Sequence, residues 1–161
     1  MYKIAKRWIS GREMGEALEA AKGVNKKGIG VILNYLGEDV TETSVVKRHA
    51  EEYLRLQRAI ADNKMDGCVS AKLTQFGLSV DEKLAIEKTE LLARQAKSLN
   101  QMLWLDMEGS KFTDKTLEIY EDMFSRHDNL GVALQAYMKR SESDLMKLIA
   151  KGGKVRLVKG A

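Results

Sequence analysis

The sequence predicts an α/β protein built on parallel strands, arranged either as a β/α barrel or as an open doubly wound sheet. Three observations lead there. Short apolar, β-branched runs alternate with helical periods along the whole chain. The runs are apolar at successive positions, as in strands covered on both faces. The stretches between them are long enough for the helical crossovers that parallel strands need.

Each element has its own signal. A first helix places Met14, Leu18 and Ala21 on one face, and Trp8 is expected to pack against it. The first strand is Gly30-Val31-Ile32-Leu33, and its turn, Asn34 to Glu38, lacks a glycine-rich dinucleotide fingerprint. That lowers the dinucleotide-binding option without excluding the open sheet. Asp39-Val40-Thr41-Glu42 has the form of a capping box, and Val46, Tyr53, Leu56 and Ile60 then share a helix face. The second strand is Cys68 to Ala71. Ser79-Val80-Asp81-Glu82 is a fuller box, followed by Leu84, Leu91, Leu92 and Leu99. Met102 to Leu105 is the third strand, and Thr113 or Asp114 can cap a helix with Leu117, Tyr120 and Phe124 inward. Val132 to Leu134 is the fourth. Ser141 to Asp144 opens a short helix with Leu145, Leu148 and Ile149, which Gly152-Gly153 ends. Val155 to Val158 is the fifth strand.

The length of 161 residues suits one domain, here 1–161, and 44% hydrophobic content supplies a core. Lys and Arg outnumber Asp and Glu by 27 to 23, a net charge of +4, and the basic residues are scattered. No nucleic-acid stripe is indicated. The single cysteine, Cys68, excludes an internal disulfide and a CxxC metal site, and its place in a buried strand makes it a small hydrophobe. No apolar stretch reaches the length of a membrane span, and residues 1–10 lack a signal-peptide core, so a cytoplasmic location is expected.

In a β/α barrel the chemistry sits at the C-terminal ends of the strands. Every strand here delivers a polar side chain at that end: Asn34 and Glu38, Lys72 and Gln75, Asp106 and Glu108, Gln135, then Arg156 and Lys159. Any one of them could mark where a core meets water. Five such placements favour a shared pocket, because unpaired buried charges cost several kcal/mol. Lys72, Arg156 and Lys159 offer positive charge, Asp106 and Glu38 negative. That mixture suits an amino- or imino-acid zwitterion, and the cations also suit an electron-rich ring or a phosphate. Tyr53, Tyr120, Met123 and Phe124 read as core. His49 and His127 read as structural or surface residues, and Trp104 shares a strand face with Asp106, beneath the pocket.

These strand ends resemble the proline dehydrogenase family. The resemblance lies in Leu33-Asn-Tyr-Leu-Gly-Glu38, Val69-Ser-Ala-Lys-Leu-Thr74, Trp104-Leu-Asp-Met-Glu108, Leu134-Gln-Ala-Tyr137 and Val155-Arg-Leu-Val-Lys-Gly-Ala161. The last two segments are the most specific. The resemblance implies a (βα)8-type TIM barrel and FAD-dependent oxidation of L-proline to pyrroline-5-carboxylate, by hydride transfer to flavin N5. It implies catalytic roles for Lys72, Asp106 and Arg156. Lys72 and Asp106 contact substrate, with Ala161 at the substrate's edge and Glu38 as an ionic gate. Gln135, Arg156, Val158, Lys159, Gly160 and Ala161 lie along FAD. Either Lys72 or Asp106 could assist amine deprotonation. The implied partners are L-proline, an electron acceptor such as a membrane quinone, and either a second copy or a missing C-terminal half. Location is then cytoplasmic or peripheral to the inner face of a membrane.

Two departures are visible. Asn34 stands where the family usually has aspartate, which weakens local polar contacts. The sequence also ends at Ala161, inside the fifth strand motif, so about five β/α units are expected, preceded by a helix and truncated before the barrel closes. Two other readings compete. One is an aldolase-like barrel with Lys72 or Lys159 as Schiff-base lysine. The other is a non-catalytic half of a split barrel.

Overall fold

The computed structural model describes residues 9–160, so Trp8 and Ala161 lie outside the described residues. Helix α1 spans Met14–Asn25 and precedes strand β1, Val31–Leu33. Then follow α2 (Thr43–Asp62), β2 (Gly67–Ala71), a 3-10 turn (Leu73–Phe76), α3 (Glu82–Ser98) and β3 (Leu103–Leu105). The chain continues through α4 (Ser110–Phe124), β4 (Leu130–Gln135), α5 (Ser141–Ala150) and β5 (Val155–Val158).

All five strands are parallel, in the order β1-β2-β3-β4-β5. A doubly wound sheet reverses its strand order to place helices on both faces. Here every crossover steps the same way, so all the helices cover one face and the sheet curls around the other. The architecture is an incomplete portion of a TIM-type barrel.

Strand register sorts the side chains into two faces. Val69, Leu103, Leu130 and Val132 are all fully buried against the helices. They pack with Val46, Tyr53 and Ile60 of α2, Leu92 and Ala96 of α3, Tyr120 and Met123 of α4, and Leu148 of α5. Burying each large apolar side chain contributes about 1.5–3 kcal/mol, which makes this layer the main source of cohesion. The opposite face carries Ile32 beside Cys68, Ser70 beside Trp104, Trp104 beside Gly131, and Ala133 beside Arg156. Ile32 there is 38% exposed, so the inner side is open. Two further apolar residues, Leu91 and Ile149, were expected on covered helix faces and are exposed instead. The covered stripe of α3 runs through Ala85, Thr89, Leu92 and Ala96, one step around the helix from Leu91. In α5 Leu148 takes the inward position and turns Ile149 out.

The helix starts correct the sequence reading. Asp39 caps nothing: it sits at φ 50°, and α2 begins after Glu42 with no side-chain cap. Helix α3 is capped by Asp81, whose Oδ1 accepts the Leu84 N–H at 3.0 Å, not by Ser79. Helix α4 starts after Gly109, which buries Thr113 inside it. Ser141 is already helical, and its Oγ donates back to the Gln135 carbonyl at 2.5 Å, tying α5 to the end of β4. Strand β4 runs longer than its apolar triplet, from Leu130 to Gln135.

Candidate active site

The polar strand ends gather on the open inner side, at the C-terminal rim. Asp106 follows β3 directly, and its Oδ1 accepts from Arg156 Nη2 at 2.6 Å, across the width of β4. Its Oδ2 faces Ser70 Oγ at 3.3 Å and Asn34 Nδ2 at 3.5 Å. Asn34 is thus a donor to this carboxylate. An aspartate in its place would bring a second negative charge to the same oxygen, so the expected weakening of local contacts is not what the geometry shows. The Arg156 guanidinium lies over the Trp104 ring, 5.6 Å from its centroid. Its Nε is buried and has no hydrogen-bond partner among the described residues.

Trp104 forms the floor beneath this pair, and Gly131 makes room for it. A Cβ at Gly131 would fall 2.5 Å from the Trp104 ring. Cys68 is half-buried on the same face, and burial pushes its thiol up, so it is a poor thiolate there.

A second cluster stands beside the first. Lys72 follows β2, and its Nζ donates to Glu38 Oε2 at 2.6 Å. The ammonium holds Glu38 below the usual carboxylate range. Behind it the 3-10 turn carries buried Thr74 and Gln75. Gln75 Nε2 donates to the Tyr35 carbonyl at 2.6 Å, and its Oε1 accepts from the Tyr53 hydroxyl at 2.9 Å. Tyr53 is therefore more than core: burial pushes its phenol up, so it stays protonated and able to donate. Glu108 accepts from both the N–H and the hydroxyl of Thr74. Desolvation raises its pKa, against those two bonds.

At β4, Gln135 is buried and its Nε2 donates to the Met107 carbonyl at 3.0 Å. Past the strand ends, pairing continues from Ala136 N–H to the Val158 carbonyl and from Tyr137 N–H to the Lys159 carbonyl. Gly160, at φ 102°, lies against the Tyr137 ring, where a Cβ would approach within 2.0 Å. Only glycine suits that conformation and that contact. Lys159 is exposed and Val158 half-buried.

The structure thus brings Asp106 to Arg156 and Lys72 to Glu38, and it leaves Lys159 apart from both pairs. Sequence reasoning missed Ser70, Thr74 and the neighbour of Trp104, Gly131. Ser70 was findable, since it lies two residues before Lys72 on one strand face. His49 is buried and edge-on to Tyr35, 5.1 Å between ring centroids, and His127 lies 3.5 Å from Glu90 on the helix layer. Among the described residues no group of three or more His, Cys, Asp or Glu is placed to hold a metal, and no helix is long and apolar enough to cross a membrane.

The fold matches solved structures closely. Proline utilization A from Bdellovibrio bacteriovorus, inactivated by N-propargylglycine, superimposes with TM-score 0.84 at 22% identity, covering 99% of this chain and 20% of that one. Proline utilization A from Corynebacterium freiburgense gives TM-score 0.78 at 25% identity, covering 99% and 18%. Among curated sequences, proline dehydrogenase 2 of Bacillus subtilis is 30% identical over 99% of this chain and 55% of its own length. Proline dehydrogenase 1 of Bacillus subtilis subsp. natto is 32% identical over 98% and 52%. The chain spans about half the length of these relatives. The family model described as proline dehydrogenase matches residues 17–161. With that match covering nearly all of it, the chain belongs to the proline dehydrogenase family.

Proposed function

We propose that this chain forms the first five β/α units, and the corresponding part of the active-site rim, of an FAD-dependent proline dehydrogenase. The protein would oxidise L-proline to pyrroline-5-carboxylate in proline catabolism. The observation that carries the reading is Arg156, held by Asp106 and stacked on Trp104, with a buried Nε that has no acceptor among the described residues.

FAD fits these residues. A buried cationic donor on the same sheet face as Gln135, two residues along from it in register, complements an electron-rich ring. Gln135, Arg156, Val158, Lys159, Gly160 and Ala161 would hold it, and when bound it supplies the hydride acceptor. Arg156 then offers positive charge where negative charge develops, and Asp106 fixes its orientation. Lys72 receives the proline carboxylate, exchanging Glu38 for it. Asp106, an acceptor-only carboxylate, takes the amine proton, since Lys72 as the ammonium that meets the substrate carboxylate has no lone pair to accept it. Trp104 closes the floor against water.

The Schiff-base alternative has less support. A Schiff-base lysine needs apolar surroundings or a cationic neighbour that lower its pKa. Lys72 is instead paired with a carboxylate, and Lys159 is exposed. Reoxidation by a membrane quinone belongs to the same proposal, as does a partner surface, from further chain or a second copy, that covers the open inner side. Without that cover, an unclosed sheet exposes its inner face and two strand edges, and we expect residues 1–161 alone not to turn over proline.

The test is anaerobic addition of L-proline to the purified protein carrying this chain, followed by flavin absorbance. Bleaching of the oxidised band is expected. No bound flavin, or a band unmoved by proline, sinks the reading, and borohydride trapping of a carbonyl substrate on Lys72 or Lys159 replaces it with the Schiff-base one. Dye-linked proline turnover by residues 1–161 alone overturns the expectation for the isolated units.

A further inference from the structure

Glu38 stands on a loop that is held from one side by a single residue. Its neighbour Asp39 adopts a left-handed backbone, φ 50°, which aspartate tolerates better than most side chains but which still needs partners to hold it. Thr74 supplies those partners. Its Oγ1 accepts the Asp39 N–H at 3.0 Å, and its carbonyl accepts the Val40 N–H at 3.0 Å. Thr74 is fully buried and anchored in turn by Glu108, whose Oε1 accepts the Thr74 N–H at 3.1 Å and whose Oε2 accepts the Thr74 hydroxyl.

The direction of these bonds follows from proton counting. A threonine hydroxyl has one proton. With the Asp39 N–H donating to its oxygen, that proton must go to an acceptor, and an ionised carboxylate is acceptor-only. The relay runs from Asp39 N–H to Thr74 O–H to the Glu108 carboxylate. It begins one residue from Glu38, the carboxylate that occupies Lys72.

We propose that Glu108 is a positioning residue for Glu38: acting through Thr74, it holds the Glu38 carboxylate on Lys72, where that carboxylate competes with the carboxylate of the substrate. The competition rests on the reading of Lys72 as the group that meets the proline carboxylate. The positioning itself does not.

The experiment therefore has two arms. In the first, NMR on the full chain without substrate follows Glu38 carboxyl titration and amide exchange at Asp39 and Val40. The variants are Thr74→Val, which keeps shape and removes the hydroxyl, Glu108→Gln, and Thr74→Ser, which keeps the hydroxyl. Thr74→Val and Glu108→Gln are expected to speed Asp39 and Val40 exchange tenfold or more and to return Glu38 to the ordinary carboxylate range. Thr74→Ser should stay within twofold of the parent. Unchanged exchange in both disruptive variants, or an equal rise at every amide of the sheet, overturns the proposal. In the second arm, the protein carrying this chain is assayed with proline. Glu108→Gln is expected to lower KM about threefold or more, because Lys72 is freed, and an unchanged or raised KM overturns the competition. If the parent shows no reaction with proline, the proposed function fails and the first arm still decides the positioning.

Discussion

Replacing Gly131 with alanine tests whether Trp104 is the fixed floor of the site. The added Cβ would lie 2.5, 2.6 and 3.0 Å from three carbons of the Trp104 ring. Carbon contacts relax at about 3.5–4.0 Å, so the ring must retreat by about 1 Å. It has little freedom to do so, with β4 on one side and the Arg156 guanidinium above it. Overpacking of this kind costs about 1–3 kcal/mol. Displacing the ring also loosens the cation–π contact, worth about 0.5–1 kcal/mol. Against this, alanine restricts the unfolded chain and returns about 0.4–1 kcal/mol. A net loss of about 2 kcal/mol lowers the melting temperature by about 4–8 °C for a domain of this size. The assay is a double-mutant cycle by urea or thermal unfolding, with Gly131→Ala, Trp104→Leu and both together. In the Trp104→Leu background the alanine should cost nothing measurable or stabilise slightly. Equal cost in both backgrounds would refute the reasoning, because the penalty would then lie in the backbone and not against the ring.

Two other perturbations address the surroundings. Tyr53→Phe keeps the buried ring and removes a hydroxyl that accepts the Tyr35 N–H at 3.2 Å and donates to Gln75 Oε1 at 2.9 Å. It should cost about 1–3 kcal/mol through the unsatisfied groups left behind, with faster exchange at the Tyr35 amide, and a change below about 0.5 kcal/mol in urea unfolding would contradict it. Glu90 is held at about 2, first by the hydrogen bond from Arg126, then by that from Arg94. Its folded pKa is depressed, so its stabilisation is fully present above the ordinary carboxylate value of 4.5 and fades as pH falls toward about 2. The arginines are open to water, 44% and 71% exposed, and screening limits the contribution to about 1 kcal/mol. The stability gap between the parent and Glu90→Gln should be present at pH 7 and closed near pH 2, and a gap of equal size at both would count against the ion pair.

The sequence by itself determined the succession of strands and helices, because apolar period is a local property that each segment carries alone. It also placed Lys72, Asp106 and Gln135 at strand ends, since the boundary between an apolar run and a polar residue is local too, whereas Arg156, expected at such an end, lies second in β5. It did not determine how the strands lie beside one another. Barrel and doubly wound sheet share the same local pattern, and the unreversed order of five strands separates them. Nor did it determine which polar groups meet. Arg156 reaches Asp106 because register sets the start of β5 level with the end of β3, Leu105 pairing with Val132 and Val132 with Val155. Asp39 looked like a helix cap in the sequence, but the helix begins only after Glu42, and Asp39 takes a left-handed backbone whose N–H donates to Thr74, 35 positions away. Hydrogen bonds between strand ends depend on register, twist and the competition among all donors in reach. Those are properties of the assembled sheet, and they decided the pairings of the site.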